Sequence, residues 1–281
     1  LYYIVSSYNY ECFPECRTFD KKAFCYFCHF DYFYFVTTML DTTIINAEYK
    51  EYIIDDYEMY YTPFLAAALN NNINIIKILI DRPEIDINTK AIRIEKQEEY
   101  DEINALRIAI FNYNNDLAQL LLNHKRINVN SKITVRKVID NFFFDEIVPM
   151  FSIAISYRDI NMVNLFLQHS KIDVNEKYQD SLSYCTEDEA YQTADITPLI
   201  MSCNIEMVKL VLSHPNLDIN SISTIISEDL WYLNGSALCY SIDNNQIEIT
   251  KLLLKHPKID VNSKYVLIKN NSLRKEKPAL Y

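Results

Sequence analysis

Apolar and polar positions fall into blocks that alternate along the chain from Tyr61 onward. Phe64-Leu65-Ala66-Ala67-Ala68 is a run of helix formers preceded by Thr62, which is able to cap, and by Pro63 at the first helical position. Asn70-Asn71-Asn72 then stops it, because asparagine tolerates the left-handed conformation that ends helices. The chain needs asparagine there, since Gly235 is its only glycine. A second helix is predicted over Ile73 to Ile80. Its Ile75, Ile76, Ile78, Leu79 and Ile80 make an apolar surface too broad for a helix facing solvent, so it is sandwiched between neighbours. Pro83 breaks it, Ile85-Asp86-Ile87-Asn88 is predicted to run extended, and a polar segment leads to the next helix pair.

The same order of blocks returns four times. Asn104 to Ala109 is followed by Leu117 to Leu122, Val148 to Ala154 by Met162 to Leu167, Thr197 to Cys203 by Met207 to Leu212, and Ser236 to Ser241 by Ile249 to Leu254. Each second helix ends in one phrase: Ile85-Asp86-Ile87-Asn88, Ile127-Asn128-Val129-Asn130, Ile172-Asp173-Val174-Asn175, Leu217-Asp218-Ile219-Asn220 and Ile259-Asp260-Val261-Asn262. The closing asparagines are 42, 45, 45 and 42 residues apart, and such a spacing marks stacked repeats rather than one closed core. The fourth repeat is about three residues shorter between its helices, which predicts a shortened first helix or a tightened turn.

These residues resemble the ankyrin repeat, whose pattern runs T-P-L-H-x-A through a first helix, V-V-K-L-L-L through a second and G-A-D-V-N into a β-turn finger. Thr62-Pro63-Phe64, Thr197-Pro198-Leu199 and the five terminal asparagines are the nearest matches. The departures are regular: no His follows Thr-Pro-Leu, His256-Pro257-Lys258-Ile259-Asp260 stands in for the Gly-Ala-Asp turn, and the period exceeds 33 residues. The resemblance implies an all-α, ankyrin-like solenoid of stacked helix-turn-helix repeats with elongated β-turn fingers, a glycine-poor and asparagine-rich subclass. Five repeats are expected at 61–88, 103–130, 148–175, 196–220 and 235–262. Residues 1–60 are expected to form a degenerate, aromatic and Cys-rich N-terminal repeat or cap. Residues 263–281 are expected to hold a finger and the start of a truncated sixth repeat, because Pro278-Ala279-Leu280-Tyr281 follows Ser236-Ala237-Leu238-Cys239 by 42. The chain is therefore expected to be a fragment or to carry atypical ends acting as caps.

Composition narrows the function. With 27 Lys plus Arg against 38 Asp plus Glu the formal charge is −11, which repels phosphate backbones and argues against nucleic acid. Segments 47–60, 89–102, 131–146, 176–195 and 221–234 carry −4, −2, 0, −5 and −2, a total of −13, while 263–276 carries +3. The negative charge thus sits on the fingers. Seven cysteines, an odd count with no basic leader before an apolar run, point to a reducing setting, cytoplasmic with the nucleus as the alternative. The longest apolar stretch, Ala23 to Leu40, has Asp31 at its centre, where a mid-bilayer carboxylate costs roughly 2.5–3.5 kcal/mol, and no membrane span is expected.

Candidate chemistry is sparse. Cys25-Tyr26-Phe27-Cys28-His29 matches a c-type haem attachment pattern, and with Cys12 and Cys16 it offers four thiols for zinc. The competing expectation is reduced cysteines packed among Phe and Tyr, and no cofactor is assigned. His124, His169, His214 and His256 occupy one repeat position just after the second helix, where the dipole favours them and free carbonyls can take their N–H groups. Glu98-Glu99-Tyr100-Asp101-Glu102 and Glu187-Asp188-Glu189 are expected on mobile exposed fingers, which do not drive carboxylate pKa values apart, so no catalytic residue and no small-molecule substrate is expected.

The resemblance implies binding of a protein partner of unknown identity on the concave surface formed by first helices and fingers. The positions it singles out are Leu69, Asn70, Phe111, Asn112, Ser156, Tyr157, Asp243 and Asn244 at first-helix ends, with Tyr100, Phe142, Phe143, Trp231 and Tyr232 on fingers. Aromatic residues dominate interface hot spots, and an acidic rim steers a basic partner. Two alternatives stand beside this scaffold: an N-terminal zinc module fused to the array, and the targeting region of a larger protein whose effector domain is missing.

Overall fold

A computed structural model describes residues 21–42, 52–54, 57–59, 61–94, 100–139, 142–180, 194–202, 204–226, 231–269 and 272–278. Helices come in antiparallel pairs: α1 Lys21–His29 with α2 Phe33–Thr42, α3 Pro63–Leu69 with α4 Ile73–Ile80, α5 Ala105–Phe111 with α6 Asn115–Leu122, α7 Met150–Ser156 with α8 Ile160–Gln168, α9 Pro198–Met201 with α10 Ile205–Leu212, and α11 Ala237–Asp243 with α12 Ile247–Leu254. Local chemistry sets the helix starts. Thr62 Oγ1 accepts the Leu65 N–H at 3.3 Å, and Asn104 Oδ1 accepts the Arg107 N–H at 2.8 Å. The missing residues of the fourth repeat come out of its first helix, which is only four residues long. The apolar stretch Ala23 to Leu40 is split between α1 and α2, with Asp31 in their turn at φ 57°. Among the described residues no helix is long and apolar enough to cross a membrane.

The second helices are buried on several sides. Ile75, Ile76 and Leu79 in α4, Leu117, Ala118 and Leu121 in α6, and Met162, Val163 and Phe166 in α8 are all fully enclosed. Each lies between its own first helix and the helices of adjacent repeats, so truncating one of the Ile, Leu, Met or Phe side chains among them to alanine would cost about 2–5 kcal/mol.

The helix-turn-helix solenoid is all-α only roughly, because it also carries antiparallel strands. The fingers are hairpins, and they pair with one another into two six-stranded antiparallel sheets. The first runs in the order β1 Tyr52–Ile54, β2 Tyr57–Met59, β3 Ala91–Ile94, β4 Tyr100–Ile103, β5 Lys132–Ile139 and β6 Phe142–Pro149. The second holds β7 Tyr178–Asp180, β8 Ala194–Ile196, β9 Ser223–Ile226, β10 Trp231–Gly235, β11 Lys264–Lys269 and β12 Ser272–Pro278. Neighbouring fingers join through pairs such as Asp101↔Val135 and Leu233↔Leu267. The extra residues of the long period therefore build strands that satisfy one another's backbone groups. Among the described residues the ladder lapses between β6 and β7. There the contact passes through side chains: the Tyr178 hydroxyl donates to Glu146 at 3.0 Å, and Lys132 meets Glu176 at 2.6 Å.

The repeated phrase is a turn and not the extended segment expected. Its second residue accepts the N–H of its fourth in all five copies, as in Asp86 to Asn88 at 2.9 Å and Asp173 to Asn175 at 3.0 Å. The first and third positions turn inward: Ile85, Ile87, Ile127, Val129, Ile172, Val174, Leu217 and Ile219 are buried. The closing asparagine crosses to the next repeat. Asn88 donates to Arg126 O at 2.8 Å and accepts from Asn128 N–H at 2.7 Å; Asn130 grips Lys171 O and Asp173 N–H at 2.8 and 2.9 Å. Asn175 and Asn220 do the same to Asn216 with Asp218 and to Lys258 with Asp260, all at 2.8 Å. Four amides of one register thus clamp four repeat boundaries. Arg126 reaches back across the first of these boundaries, donating to the carbonyls of Ile80, Ile85 and Arg82, and so closes the C-terminus of α4.

Candidate protein-interaction surface

In the first, second, third and fifth repeats the first helix ends in a turn whose central residue has positive φ: Asn71 at 56°, Tyr113 at 52°, Arg158 at 57° and Asn245 at 53°. A chain with one glycine elsewhere must fill these left-handed positions with larger residues. Asparagine does so at Asn71 and Asn245, and its side chains also knit the turns: Asn114 Nδ2 donates to Asn71 Oδ1 at 2.6 Å, and Asn72 Nδ2 donates to the carbonyls of Cys28 and His29.

The eight helix-end positions singled out from the sequence lie beside these turns. Asn70, Asn112, Ser156, Asp243 and Asn244 are exposed, Leu69 and Tyr157 are half-buried, and Phe111 is 57% exposed. Two repeats bring rings together here. The Phe111 and Tyr157 centroids are 6.3 Å apart, and Tyr113, 58% exposed, lies 5.9 Å from Tyr157 in an edge arrangement. Tyr113 was absent from the sequence-derived set. Its one signal was that it stands where Asn71 stands one repeat earlier.

The finger positions are on strands. Tyr100 is on β4, registered against Ile94 and Arg136; Phe142 and Phe143 are on β6 against Ile139 and Val138; Trp231 and Tyr232 are on β10, paired to β11, with Tyr232 also registered against Ile226 on β9. Successive strand positions belong to opposite faces, so neither adjacent pair occupies a single face of its sheet. The structure therefore brings Phe111, Tyr113 and Tyr157 together and distributes the finger aromatics over two sheets.

The finger carboxylates that are described do not sit on mobile exposed loops. Asp101 pairs with Arg107 at 2.7 Å, and Arg107 also donates to Glu102 O at 2.7 Å, which fixes β4 to α5. Burial works to raise the Glu102 pKa, but hydrogen bonds from Lys90 and the Thr134 N–H, with the Lys90 charge, hold it below the usual carboxylate value. Paired hydrogen bonds from Arg136 at 2.7 Å likewise lower Asp145, against a smaller opposing effect of burial. Glu98, Glu99 and the Glu187 to Glu189 cluster lie outside the described residues.

Family comparison agrees with this architecture. A model of ankyrin repeats in three copies matches residues 151–265, and a model of a single ankyrin repeat matches residues 59–89. This chain is an ankyrin repeat protein. Among solved structures, the ankyrin repeat protein EF0377 is 20% identical over 85% of this chain and 100% of that one, with a TM-score of 0.52. The ankyrin repeat domain of Bcl-3, described as a unique member of the IkappaB protein family, is 15% identical over 73% of this chain and 75% of that one, with a TM-score of 0.46. At such identities the likeness speaks for the fold alone. No curated protein matches.

In this ankyrin array the repeat-position histidines act differently from the expectation. Among the described residues their rings donate to no helix-end carbonyl; each Nδ1 accepts the N–H two residues on, in His124 to Arg126, His169 to Lys171, His214 to Asn216 and His256 to Lys258, at 3.2–3.3 Å. A backbone N–H can only donate, so these Nδ1 atoms carry no proton. Partial burial, and then the Lys171 charge, lower the His169 pKa.

At the N-terminal end of the ankyrin stack Cys25 and Cys28 are buried, and Cys25 Sγ donates to Tyr61 O at 3.6 Å. Burial pushes the Cys25 thiol up to about 12 and the Cys28 thiol well above its usual value, so both are packed as protonated thiols. Cys12 and Cys16 lie outside the described residues, and among the described residues no group of three or more His, Cys, Asp or Glu side chains could hold a metal.

Proposed function

We propose that this protein is a non-catalytic scaffold that holds a basic protein partner through its first-helix ends and finger strands. Ankyrin repeats are generally protein–protein interaction modules, and ankyrin repeat proteins are typically non-enzymatic scaffolds. The observation that carries the finer reading is the charge: −13 over the five finger segments of a chain whose total is −11. Asp101, Glu102, Asp145 and Glu146 stand on hairpin strands linked into one sheet, which favours steering of a cationic surface towards them. The exposed residues at the helix ends, Asn70, Phe111, Asn112, Ser156, Asp243 and Asn244, would supply contact beside them.

The test is a titration of the full chain with a lysine- and arginine-rich probe peptide at low and high salt. Affinity should fall steeply as salt rises through the range where the Debye length shrinks from about 30 to 8 Å. Equal affinity at both ends would remove the basic-partner reading. A companion measurement compares the full chain with Trp231→Ala and Tyr232→Ala as separate variants, since their positions belong to opposite faces of β10.

A further inference from the structure

We infer that Phe111, Tyr113 and Tyr157 form a docking patch for arginine side chains of the partner. This deepens the basic-partner reading and rests on it. Three observations converge on the patch. First, the rings come from two successive repeats, and two of them are more than half exposed. Second, Tyr113 occupies a left-handed turn position, φ 52°, that the same stack fills with asparagine at Asn71 and Asn245 and with an arginine at Arg158. A bulky aromatic is a costly choice for such a position, and with 58% of its surface in water it adds little to the core. Third, the edge is acidic. The turn segments 70–74, 112–116, 156–161, 202–206 and 243–248 together hold Asp116, Asp159, Glu206, Asp243 and Glu248 against Arg158 alone.

These features select a guanidinium. It is planar and weakly hydrated, so it stacks on an aromatic face while its edge donates to acceptors around it. Asp116, exposed in the first turn of α6, and the exposed Asn112 supply acceptors within a few residues of Tyr113. Asp159 is already engaged, its carboxylate accepting the Asn161 and Met162 N–H groups at 3.0 and 3.1 Å. Among the described residues no cation stacks on the three rings, and Arg158 forms no ion pair. A lysine ammonium keeps its hydration more firmly and cannot stack as a plane, so the patch should prefer arginine at equal charge.

The experiment titrates the full chain with hexa-arginine and with hexa-lysine at low salt. Tyr113→Asn is the decisive variant, because asparagine takes this position in the turns of the first and fifth repeats, at Asn71 and Asn245. Hexa-arginine should bind at least fivefold tighter than hexa-lysine, and Tyr113→Asn should remove that preference. A Phe111→Ala variant should act in the same direction. Equal binding of the two peptides, or a preference that survives Tyr113→Asn, overturns the arginine patch while leaving the charge-based reading standing. Failure of both peptides to bind overturns both.

Discussion

Replacing Asn130 by alanine removes a single side-chain amide that joins two repeats. That amide donates to Lys171 O at 2.8 Å and accepts from Asp173 N–H at 2.9 Å, so two hydrogen bonds are lost. Net contributions of about 0.5–1.5 kcal/mol each bound the loss at roughly 1–3 kcal/mol. Lys171 and Asp173 are exposed, so water replaces the lost partners and the lower part of that range applies, about 1–2 kcal/mol. Asn130→Asp should be worse than alanine, because it keeps the acceptor but sets a carboxylate oxygen against the Lys171 carbonyl. Asn262 supplies an internal control. It closes the same phrase, but among the described residues its side chain makes no such bond, and Asn262→Ala should change stability by less than about 0.5 kcal/mol. Urea unfolding of the full chain followed by circular dichroism reads the difference, with an unchanged m value required for the comparison. Equal losses at Asn130 and Asn262, or an aspartate milder than alanine at position 130, would refute the clamp.

Other outcomes follow from features described above. Arg158→Gly should raise stability by about 0.5–1 kcal/mol, because glycine takes φ 57° without the 1–2 kcal/mol that a side chain costs there; an unchanged or lower urea midpoint would contradict this. The folded state depresses the His169 pKa, so its contribution is present above the unfolded value near 6.5 and is lost as pH falls through the folded one. The urea midpoint should therefore drop from pH 7 to pH 5, and His169→Gln should flatten that drop. Cys25 and Cys28 are buried thiols with raised pKa values, so a thiol reagent at pH 8 should modify them only at the rate of local unfolding; immediate modification of both would show that their burial is wrong.

Much of the helical layer was legible in the letters. The Thr62-Pro63 start, the Asn70 to Asn72 stop and the five phrases are local signals, and each acts within a few residues of where it is written. The fingers were not legible because their order comes from pairing between segments tens of residues apart. Asp101 meeting Val135 depends on how two hairpins stack, and Lys132-Ile133-Thr134-Val135 alternates too briefly to announce a strand while it reads as a polar spacer. The phrase itself was misjudged for the same reason. Its inward Ile and Val look like strand alternation, and only the neighbouring repeat reveals that the asparagine amide reaches forward. Among site residues, Phe111 and Tyr157 could be named from their place at helix ends. Tyr113 could not, because its left-handed backbone is set by the turn and not by its own preference.

The lapse between β6 and β7 matters for how the array comes apart. Elsewhere adjacent repeats are coupled twice, once through packed helices and once through a shared strand ladder, so neighbours should gain and lose structure together. At the boundary of the third and fourth repeats the second coupling is missing, and the first is thinned by a first helix of four residues. In a linear chain of nearest-neighbour units, the weakest coupling sets where a domain wall is cheapest. The array should therefore behave as two cooperative blocks, with a half-unfolded species whose boundary lies between Gln168 and Tyr178.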